Sequence, residues 1–243
     1  MQTSAVHYES HLGRIYAWML GDLDAAFARS AAEIDALPLP AANRGIAVDL
    51  GAGLGLHTLP LARRGFDVVA LDSCQLLLDE LKSRCAGLAV TAFNADLLNF
   101  RSLLEAQPQL IVCMGDTLTH LPTLSAVESL LDAAAAVLPS GGGFAATFRD
   151  YATRALEGDG RFIPVRADAD RILTCFLEYA EHHVRVHDLL NERRDGQWRQ
   201  SVSSYLKLRL APERLVSRLT TLGMTVHRDA TAGGMARIVA VKD

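Results

Sequence analysis

The residues best suited to chemistry lie between Ile46 and Asp72. An apolar run at 46–50 leads into three glycines, Gly51, Gly53 and Gly55, which let a ligand approach the backbone without meeting a Cβ. A helix predicted at 55–64 points its unpaired N–H groups towards such a ligand. Asp72 ends the next apolar run, where a carboxylate can accept both hydroxyl hydrogens of a ribose. Asp49 precedes the glycines and can order their turn through backbone N–H groups or meet a cationic ligand.

Short apolar runs alternate with helical patterns on either side of this segment. Strands are predicted at 46–50, 66–71, 90–93, 110–114 and 144–148. Helices are predicted from a cap at Ser73 to Arg84, and from a capping box of Ser125 and Glu128 to Leu138. An amphipathic pattern over 11–37, interrupted near Gly21 and ended by Pro38 and Pro40, predicts helices before the first strand. The alternation predicts an α/β fold, with a parallel sheet and helices on both faces.

A different pattern follows the fifth predicted strand. Three β-like stretches have no long helix between them, at 172–179, 183–190 and 197–208, and Asp195-Gly196 predicts a hairpin turn. A helix at 212–222 and strands at 224–228 and 236–241 follow. We interpret the chain as one domain of four parts. These are an N-terminal helical cap (1–42), a cofactor-binding core (43–150), an antiparallel β insert on the substrate side (151–210), and a closing helix with strands (211–243).

Composition narrows the kinds of partner. A net charge of -4 and a pI of about 6.1 give no basic surface, so no nucleic-acid partner is predicted. No apolar run reaches the ~18 residues of a membrane span, and the N-terminus lacks the pattern of a signal peptide. Four cysteines without CxxC spacing predict free thiols in a reducing, cytoplasmic setting. His182, His183 and His187 lack a recognisable ligand set, so no metal is predicted.

The spacing of the glycines separates two cofactor classes. A dinucleotide fold has G-x-G-x-x-G, whereas here the third glycine comes one residue early and Leu56 takes its place. The segment D-L-G-A-G-L-G, followed by Asp72, resembles motif I of the class I S-adenosylmethionine (AdoMet)-dependent methyltransferases. The resemblance implies AdoMet as cofactor and a Rossmann-like, mostly parallel sheet with a late antiparallel strand; a NAD-type turn is the alternative. The implied AdoMet contacts are Asp49, Gly51, Ala52, Gly53, Asp72, Ser73, Asp96, Leu97, Met114 and Gly115.

The same resemblance implies particular roles for two of these contacts. The carboxylate of Asp96 accepts a hydrogen bond from the adenine amino group, and Leu97 donates its backbone N–H to the ring. The alternative for Asp96 is a helix N-cap. Near the N-terminus, Tyr8, Tyr16 and Trp18 either cover the cofactor, as an N-terminal tyrosine does in family members, or belong to packing.

Two segments point to the acceptor side of the site. The sequence I-V-C-M-G-D-T-L-T-H-L-P is similar to a segment of the glycine N-methyltransferases, and F-R-D-Y matches the position of another. The resemblance implies that Arg149 grips a substrate carboxylate, with a structural salt bridge as the alternative. Asp116 departs from the family, which has an amide there; it can orient an amine, accept its proton, or cap the loop before Thr117. His120 is the other candidate base, or else packs under the cofactor loop.

The prediction is an AdoMet-dependent methyltransferase that acts on a small molecule, at an amine nitrogen. Asp116, His120 and Arg149 are its candidate catalytic residues. Three other functions remain open: a cofactor-binding protein without turnover, an O-methyltransferase, and an NAD-dependent oxidoreductase. Some relatives pair through such inserts and N-terminal helices, so the resemblance also allows a homodimer.

Overall fold

The computed structural model describes residues 4–37 and 45–243, in which eleven strands form two sheets. The first five strands are β1 (Gly45–Leu50), β2 (Phe66–Asp72), β3 (Val90–Asn94), β4 (Pro108–Cys113) and β5 (Gly143–Phe148). The last two are β10 (Met224–Ala230) and β11 (Ala236–Lys242). Together they form one sheet in the order β10-β11-β5-β4-β1-β2-β3. Strand β11 runs antiparallel to β5, and the other pairings from β5 to β3 are parallel. The predicted α/β fold with a late antiparallel strand is confirmed.

Helices cover both faces of this sheet. They are α1 (Ser4–His7), α2 (Tyr16–Leu20), α3 (Leu23–Asp35), α4 (Thr58–Arg63), α5 (Gln75–Arg84), α6 (Leu124–Val137) and α7 (Pro212–Thr221). Successive side chains of a strand point to opposite faces. Ala47 accordingly packs with Ile34 of α3 and Leu61 of α4, whereas Val48 packs with residues of α6 and α7. The central strands are therefore buried on both sides, which explains why they are apolar throughout.

The second sheet is antiparallel, with the order β6-β7-β8-β9. Its strands are β6 (Phe162–Ala167), β7 (Arg171–Tyr179), β8 (His183–Arg194) and β9 (Gln197–Leu208). The sequence predicted the last three, and the predicted hairpin turn lies at Asp195, which has a positive φ of 51°. It missed β6, an edge strand that contains Pro164 and a register shift after it. Proline weakens a strand prediction because it cannot donate to the ladder, a defect that an edge tolerates.

The starts of three helices differ from the prediction. Helix α4 begins at Thr58 rather than at residue 55, because 51–57 form turns. Ser73 does not cap α5: Cys74 holds that position, and its N–H donates to the Asp72 side chain at 2.8 Å. Helix α6 is capped by Thr123 and not by Ser125. Of the three, only α6 has a side-chain cap, in which Thr123 accepts the N–H of Ala126.

The segment before α3 is less regular than the predicted helix. A π-helical turn at Tyr8–Leu12 and a 3-10 turn at Gly13–Ile15 separate α1 from α2. The predicted break at Gly21 is confirmed, since φ is 85° there. A Cβ on Gly13 would lie 2.7 Å from the Tyr8 carbonyl oxygen and 2.9 Å from Cys74 Sγ. Only glycine therefore lets this segment pack against the start of α5, while Pro38 and Pro40 lie outside the described residues.

His7 fastens this segment to the second sheet. Its Nε2 lies 2.8 Å from Asp188 Oδ2 on β8, and its Nδ1 lies 2.7 Å from Ser203 Oγ on β9. His7 and Asp188 are both buried. The N-terminal segment is thus held between the two sheets, and it brings Tyr8 to the edge of the first.

Replacing Thr123 with alanine should lower the free energy of unfolding by about 1 kcal/mol, the usual contribution of an N-cap. The Thr123 side chain accepts a hydrogen bond from Ala126 N at 3.1 Å, and alanine cannot. Urea denaturation of Thr123→Ala and of Ser125→Ala, the exposed residue that the sequence favoured, measures the difference. A larger loss in Ser125→Ala would contradict the assignment of the cap.

The described residues contain no helix that is long and apolar enough to cross a membrane.

Candidate active site

A pocket opens at the carboxyl ends of β1, β2 and β4, between the first sheet and the N-terminal segment. Its walls are Tyr8, Tyr16, Gly51, Ala52, Gly53, Leu54, Leu56, His57, Asp72, Ser73, Leu77, Leu97, Met114, Gly115, Thr117 and His120. Eight of the ten residues predicted to contact AdoMet are among them. Asp49 and Asp96 are not, and neither are Asp116 and Arg149 of the predicted catalytic set.

The glycine turn is ordered by strand β2 and not by the helix that follows. The N–H groups of Gly51 and Ala52 both donate to the Leu71 carbonyl, at 2.8 and 2.9 Å. The N–H of Gly53 donates to Asp72 Oδ2 at 2.8 Å. Helix α4 starts only at Thr58, and Leu56 and His57, which precede it, lie in the pocket wall. The turn is thus shaped in advance, with three of its donors already paired.

Gly53 and Gly115 line the pocket with bare backbone. Both have positive φ, 52° and 74°, and a Cβ built on Gly115 would meet nothing within 4 Å. A Cβ on Gly53 would come no closer than 4.0 Å to another atom, that of Leu77. The absent side chains leave space that a ligand can fill against the backbone. Gly55 instead allows close packing against α5, since a Cβ built on it would lie 2.5 Å from Leu81 Cδ1. The site therefore fits an elongated ligand that runs along both loops.

The two acids that flank the turn occupy different depths. Asp72 lies in the pocket wall and binds the turn on one oxygen and Cys74 N on the other, at 2.8 Å each. Each carboxylate oxygen keeps a second lone pair for a ligand hydroxyl. Asp49 lies buried below the turn and accepts the hydroxyl hydrogen of Thr58 at 2.6 Å. Burial raises the pKa of both carboxyls.

Asp49 lies under the start of α4, bound to Thr58, and is not part of the pocket wall, so its contact with the cofactor stays a prediction. Asp96 is also outside the pocket wall, but it is exposed to solvent, two residues after the end of β3. Its Oδ1 accepts Leu98 N at 2.9 Å and caps the 3-10 turn Leu97–Leu103, as in the alternative interpretation. Leu97 does lie in the pocket wall.

Aromatic side chains close the pocket on the side of the N-terminal segment. Tyr8 and Tyr16 have ring centroids 6.1 Å apart, and the ring of Tyr8 meets that of His120 edge-on at 5.5 Å. His120 stacks on Tyr205 of β9, with centroids 5.5 Å apart and planes 16° apart. Trp18 lies elsewhere, against Arg166 and Arg171. Two of the three N-terminal aromatic residues thus border the pocket.

His120 has an unusual state for a histidine in a pocket wall. Burial, followed by the nearby charge of Lys207, lowers the pKa of His120 to about 3. The ring is therefore neutral at physiological pH. Its Nδ1 is buried and has no hydrogen-bond partner among the described residues. A neutral imidazole has one acceptor nitrogen, which can accept a hydrogen bond from a ligand.

Asp116 lies beside the pocket in a fully paired cluster. It accepts hydrogen bonds from Arg149 N at 2.9 Å, Arg149 Nη1 at 3.3 Å and Thr119 Oγ1 at 3.0 Å, and it is bound by the ammonium of Lys207. Burial alone would raise the pKa of Asp116, but Lys207 and Arg149 outweigh it and the pKa is lowered. A carboxylate in this state holds the loop, which has a φ of 77° at Asp116, and is a poor proton acceptor.

Arg149 makes the salt bridge that the sequence left open as an alternative, and its grip on a substrate carboxylate stays a prediction. One guanidinium nitrogen pairs with Asp116, while 58% of the side chain remains exposed. A guanidinium can bind a second carboxylate bidentately through its other donors. The structure therefore shows the salt bridge and leaves room for an anionic group of a ligand.

Sequence reasoning missed Lys207 and Tyr205. Both lie on β9 at alternating positions, so their side chains share the face that meets the first sheet. The one signal available was a lysine inside an otherwise half-buried strand pattern, since a lysine is almost never fully buried unless it is paired.

Comparison with known proteins agrees with this geometry. Residues 47–142 match the family described as a methyltransferase domain. No curated protein sequence matches the chain. The fold is that of a class I methyltransferase. In this methyltransferase fold, the matched stretch runs from β1 to the turn before β5 and supplies most of the pocket wall.

Three solved structures illustrate the likeness of the fold. DesVI from Streptomyces venezuelae has a TM-score of 0.78 at 18% identity, over 97% of this chain and 100% of that one. CalS10, an AdoMet-bound amino pentose methyltransferase from Micromonospora echinaspora, has a TM-score of 0.75 at 19% identity, over 96% of this chain and 97% of that one. The sugar N-methyltransferase KedS8 from Streptoalloteichus sp ATCC 53650 has a TM-score of 0.66 at 12% identity, over 95% of this chain and 91% of that one.

The family match and the shared fold support AdoMet as the cofactor of this chain, as predicted. The pocket residues that would hold it are Gly51, Gly53, Asp72 and Gly115. The glycine N-methyltransferase branch stays a prediction.

Proposed function

We propose that this protein transfers the methyl group of AdoMet to an amine nitrogen of a small molecule. The observation that carries the proposal is the neutral imidazole of His120, which lies in the wall of the same pocket as the glycine turn. An uncharged acceptor nitrogen can receive a hydrogen bond from an amine N–H. It thereby selects a donor group on the substrate, and it orients the lone pair of that group.

Bound AdoMet supplies a methyl group that is already activated by its sulfonium. The chain must therefore align the acceptor and exclude water. Because a histidine with a pKa near 3 holds a proton poorly, we assign His120 to orientation and not to proton storage. Tyr8 and Tyr16 cover the pocket, and burial raises the pKa of both phenols, so they remain neutral hydrogen-bonding groups.

Arg149 supports an acceptor that carries an anionic group as well as an amine. Its guanidinium is half exposed beside the pocket, and Asp116 takes up only one of its nitrogens. This assignment extends the role that the resemblance implied for Arg149. The sugar N-methyltransferase KedS8 and the amino pentose methyltransferase CalS10, which have similar folds, favour an amine over a hydroxyl acceptor. Free thiols at all four cysteines favour a reducing, cytoplasmic setting.

A panel of paired acceptors tests the proposal. Each amine is matched with its hydroxyl counterpart: an amino sugar with the parent sugar, and an amino acid with the hydroxy acid. Formation of S-adenosylhomocysteine is measured for every pair. Turnover of amines alone is the expected result. Turnover of hydroxyl compounds alone would establish an O-methyltransferase, and AdoMet binding without any turnover would favour a binding protein.

Replacing His120 with phenylalanine should reduce kcat/KM for the accepted amine by about 10²-fold, the loss expected when the acceptor is no longer held in position. Phenylalanine can stack on Tyr205 but has no acceptor nitrogen. AdoMet affinity, measured by calorimetry, should stay within a few-fold of the parent. The control is His227→Phe on β10, whose side chain is 60% exposed. Full activity in His120→Phe would remove the residue from the mechanism.

A further inference from the structure

The side chain of Lys207 joins the second sheet to the loop beside the pocket. It is only 6% exposed, and its ammonium binds Asp116 Oδ2. The ammonium also lies 5.8 Å from the ring of Tyr151 and 5.9 Å from the ring of Tyr205. Burying a lysine is costly unless a carboxylate compensates it, and a buried ion pair is weak evidence for stability alone. The pair therefore calls for a functional reason.

Its position in β9 supplies a link to the reacting end of the pocket. Lys207 and Tyr205 are two residues apart on one face of the strand, and the ring of Tyr205 stacks on that of His120. Asp116 is the residue just before the 3-10 turn Thr117–His120, which carries His120. Strand β9 therefore meets His120 from two directions, through Tyr205 directly and through Lys207 and the loop.

We infer that Lys207 is a positioning residue for methyl transfer, which fixes the Asp116 loop and so holds His120 at the acceptor end of the pocket. The inference rests on the proposed function for its catalytic meaning. Lys207 touches no reacting atom in this account. It acts through Asp116 and through its charge, which favours the uncharged form of the nearby imidazole.

Several charged and titratable groups face His120 from the elements around it. They are Lys207 and Tyr205 on β9, Asp116 on the loop, Arg149 after β5, and His7 and Tyr8 on the N-terminal segment. Of these groups, Lys207 acts most strongly to lower the pKa of His120, and Asp116 acts in the opposite direction. Removing the lysine charge should therefore raise the pKa of His120.

The test is a pH titration by NMR of histidine-labelled protein, with the His120 signal assigned by its loss in His120→Phe. In Lys207→Met, the pKa of His120 should lie clearly above that of the parent. Lys207→Arg keeps the charge and should restore the parent value. With an accepted amine, Lys207→Met should lose about 10²-fold in kcat, the loss expected when His120 shifts by about 1 Å. The KM for AdoMet should change little.

Two further variants cover the case in which Lys207→Met does not fold and control for the loss of a lysine. Asp116→Asn/Lys207→Met removes both charges and should fold even if Lys207→Met does not; its His120 pKa should still exceed that of the parent. Lys242→Met is the control, because Lys242 binds the Ala135 and Leu138 carbonyls away from the pocket. An unchanged His120 pKa in the folded Lys207 variants would overturn the inference. The titration needs no acceptor, so it stands even if no amine is methylated.

Discussion

Replacing Asp72 with alanine should weaken AdoMet binding by about 100-fold or more. Hydrogen bonds to a charged group contribute about 1.5–3 kcal/mol each, and the Asp72 carboxylate can accept two from a ribose. The change also releases the N–H of Gly53, so the glycine turn loses its tie to the end of β2. Both effects act on the cofactor, and isothermal calorimetry with AdoMet measures their sum.

The control for this change lies on the same strand. Asp67 is exposed on β2 and outside the pocket, so Asp67→Ala should bind AdoMet like the parent. Asp72→Asn keeps an acceptor oxygen and should fall between parent and alanine variant. Equal affinity of Asp72→Ala and Asp67→Ala would show that the ligand does not reach the end of β2.

Replacing Asp116 with alanine should lower the free energy of unfolding by about 3–5 kcal/mol, as expected when one partner of a buried ion pair is removed. Lys207 would remain buried without its carboxylate, and Thr119 and the Arg149 N–H would lose their acceptor. Urea denaturation measures the loss. Asp35→Ala is the control: it removes a surface pair with Arg64 in which the carboxylate is 67% exposed, and should cost about 1 kcal/mol or less.

The same residue predicts a dependence of stability on pH. Because the folded-state pKa of Asp116 is lowered, its contribution is complete above the unfolded pKa of about 3.9 and is lost as pH falls through the folded value. The stabilities of the parent and of Asp116→Ala should therefore converge in acid. A difference that stays constant from neutral pH to below 3.9 would contradict the ion-pair account.

Local patterns were sufficient to predict most of the fold. Apolar runs bounded by glycine and acid gave β1 and β2, and the change from helical to alternating patterns gave β7 to β9. The signals failed where two residues compete for one position. Thr123 caps α6 although Ser125 starts a better capping box, because only the tertiary path of the chain decides which residue leaves the helix.

The acceptor side of the site could be predicted only in part. Asp116 stood out as an acid in the place of an amide, but its partner Lys207 lies 91 positions later in the chain. No spacing rule joins a loop after β4 to a strand of the second sheet. The pairing explains why Asp116 is an acid where the family that this segment resembles has an amide. Its carboxylate compensates the charge of the buried Lys207 on β9. Asp96 shows the opposite case, because its position at a strand end suited a ligand whereas its side chain caps the next turn.

Calorimetric titration of the protein with AdoMet, beside a titration with NAD, decides which cofactor the glycine turn binds. The early third glycine, the paired turn and the bare backbone at Gly53 and Gly115 predict saturable binding of AdoMet and of S-adenosylhomocysteine, and none of NAD. If NAD alone binds, or if neither ligand binds to the folded protein, the assignment of AdoMet as the cofactor is wrong.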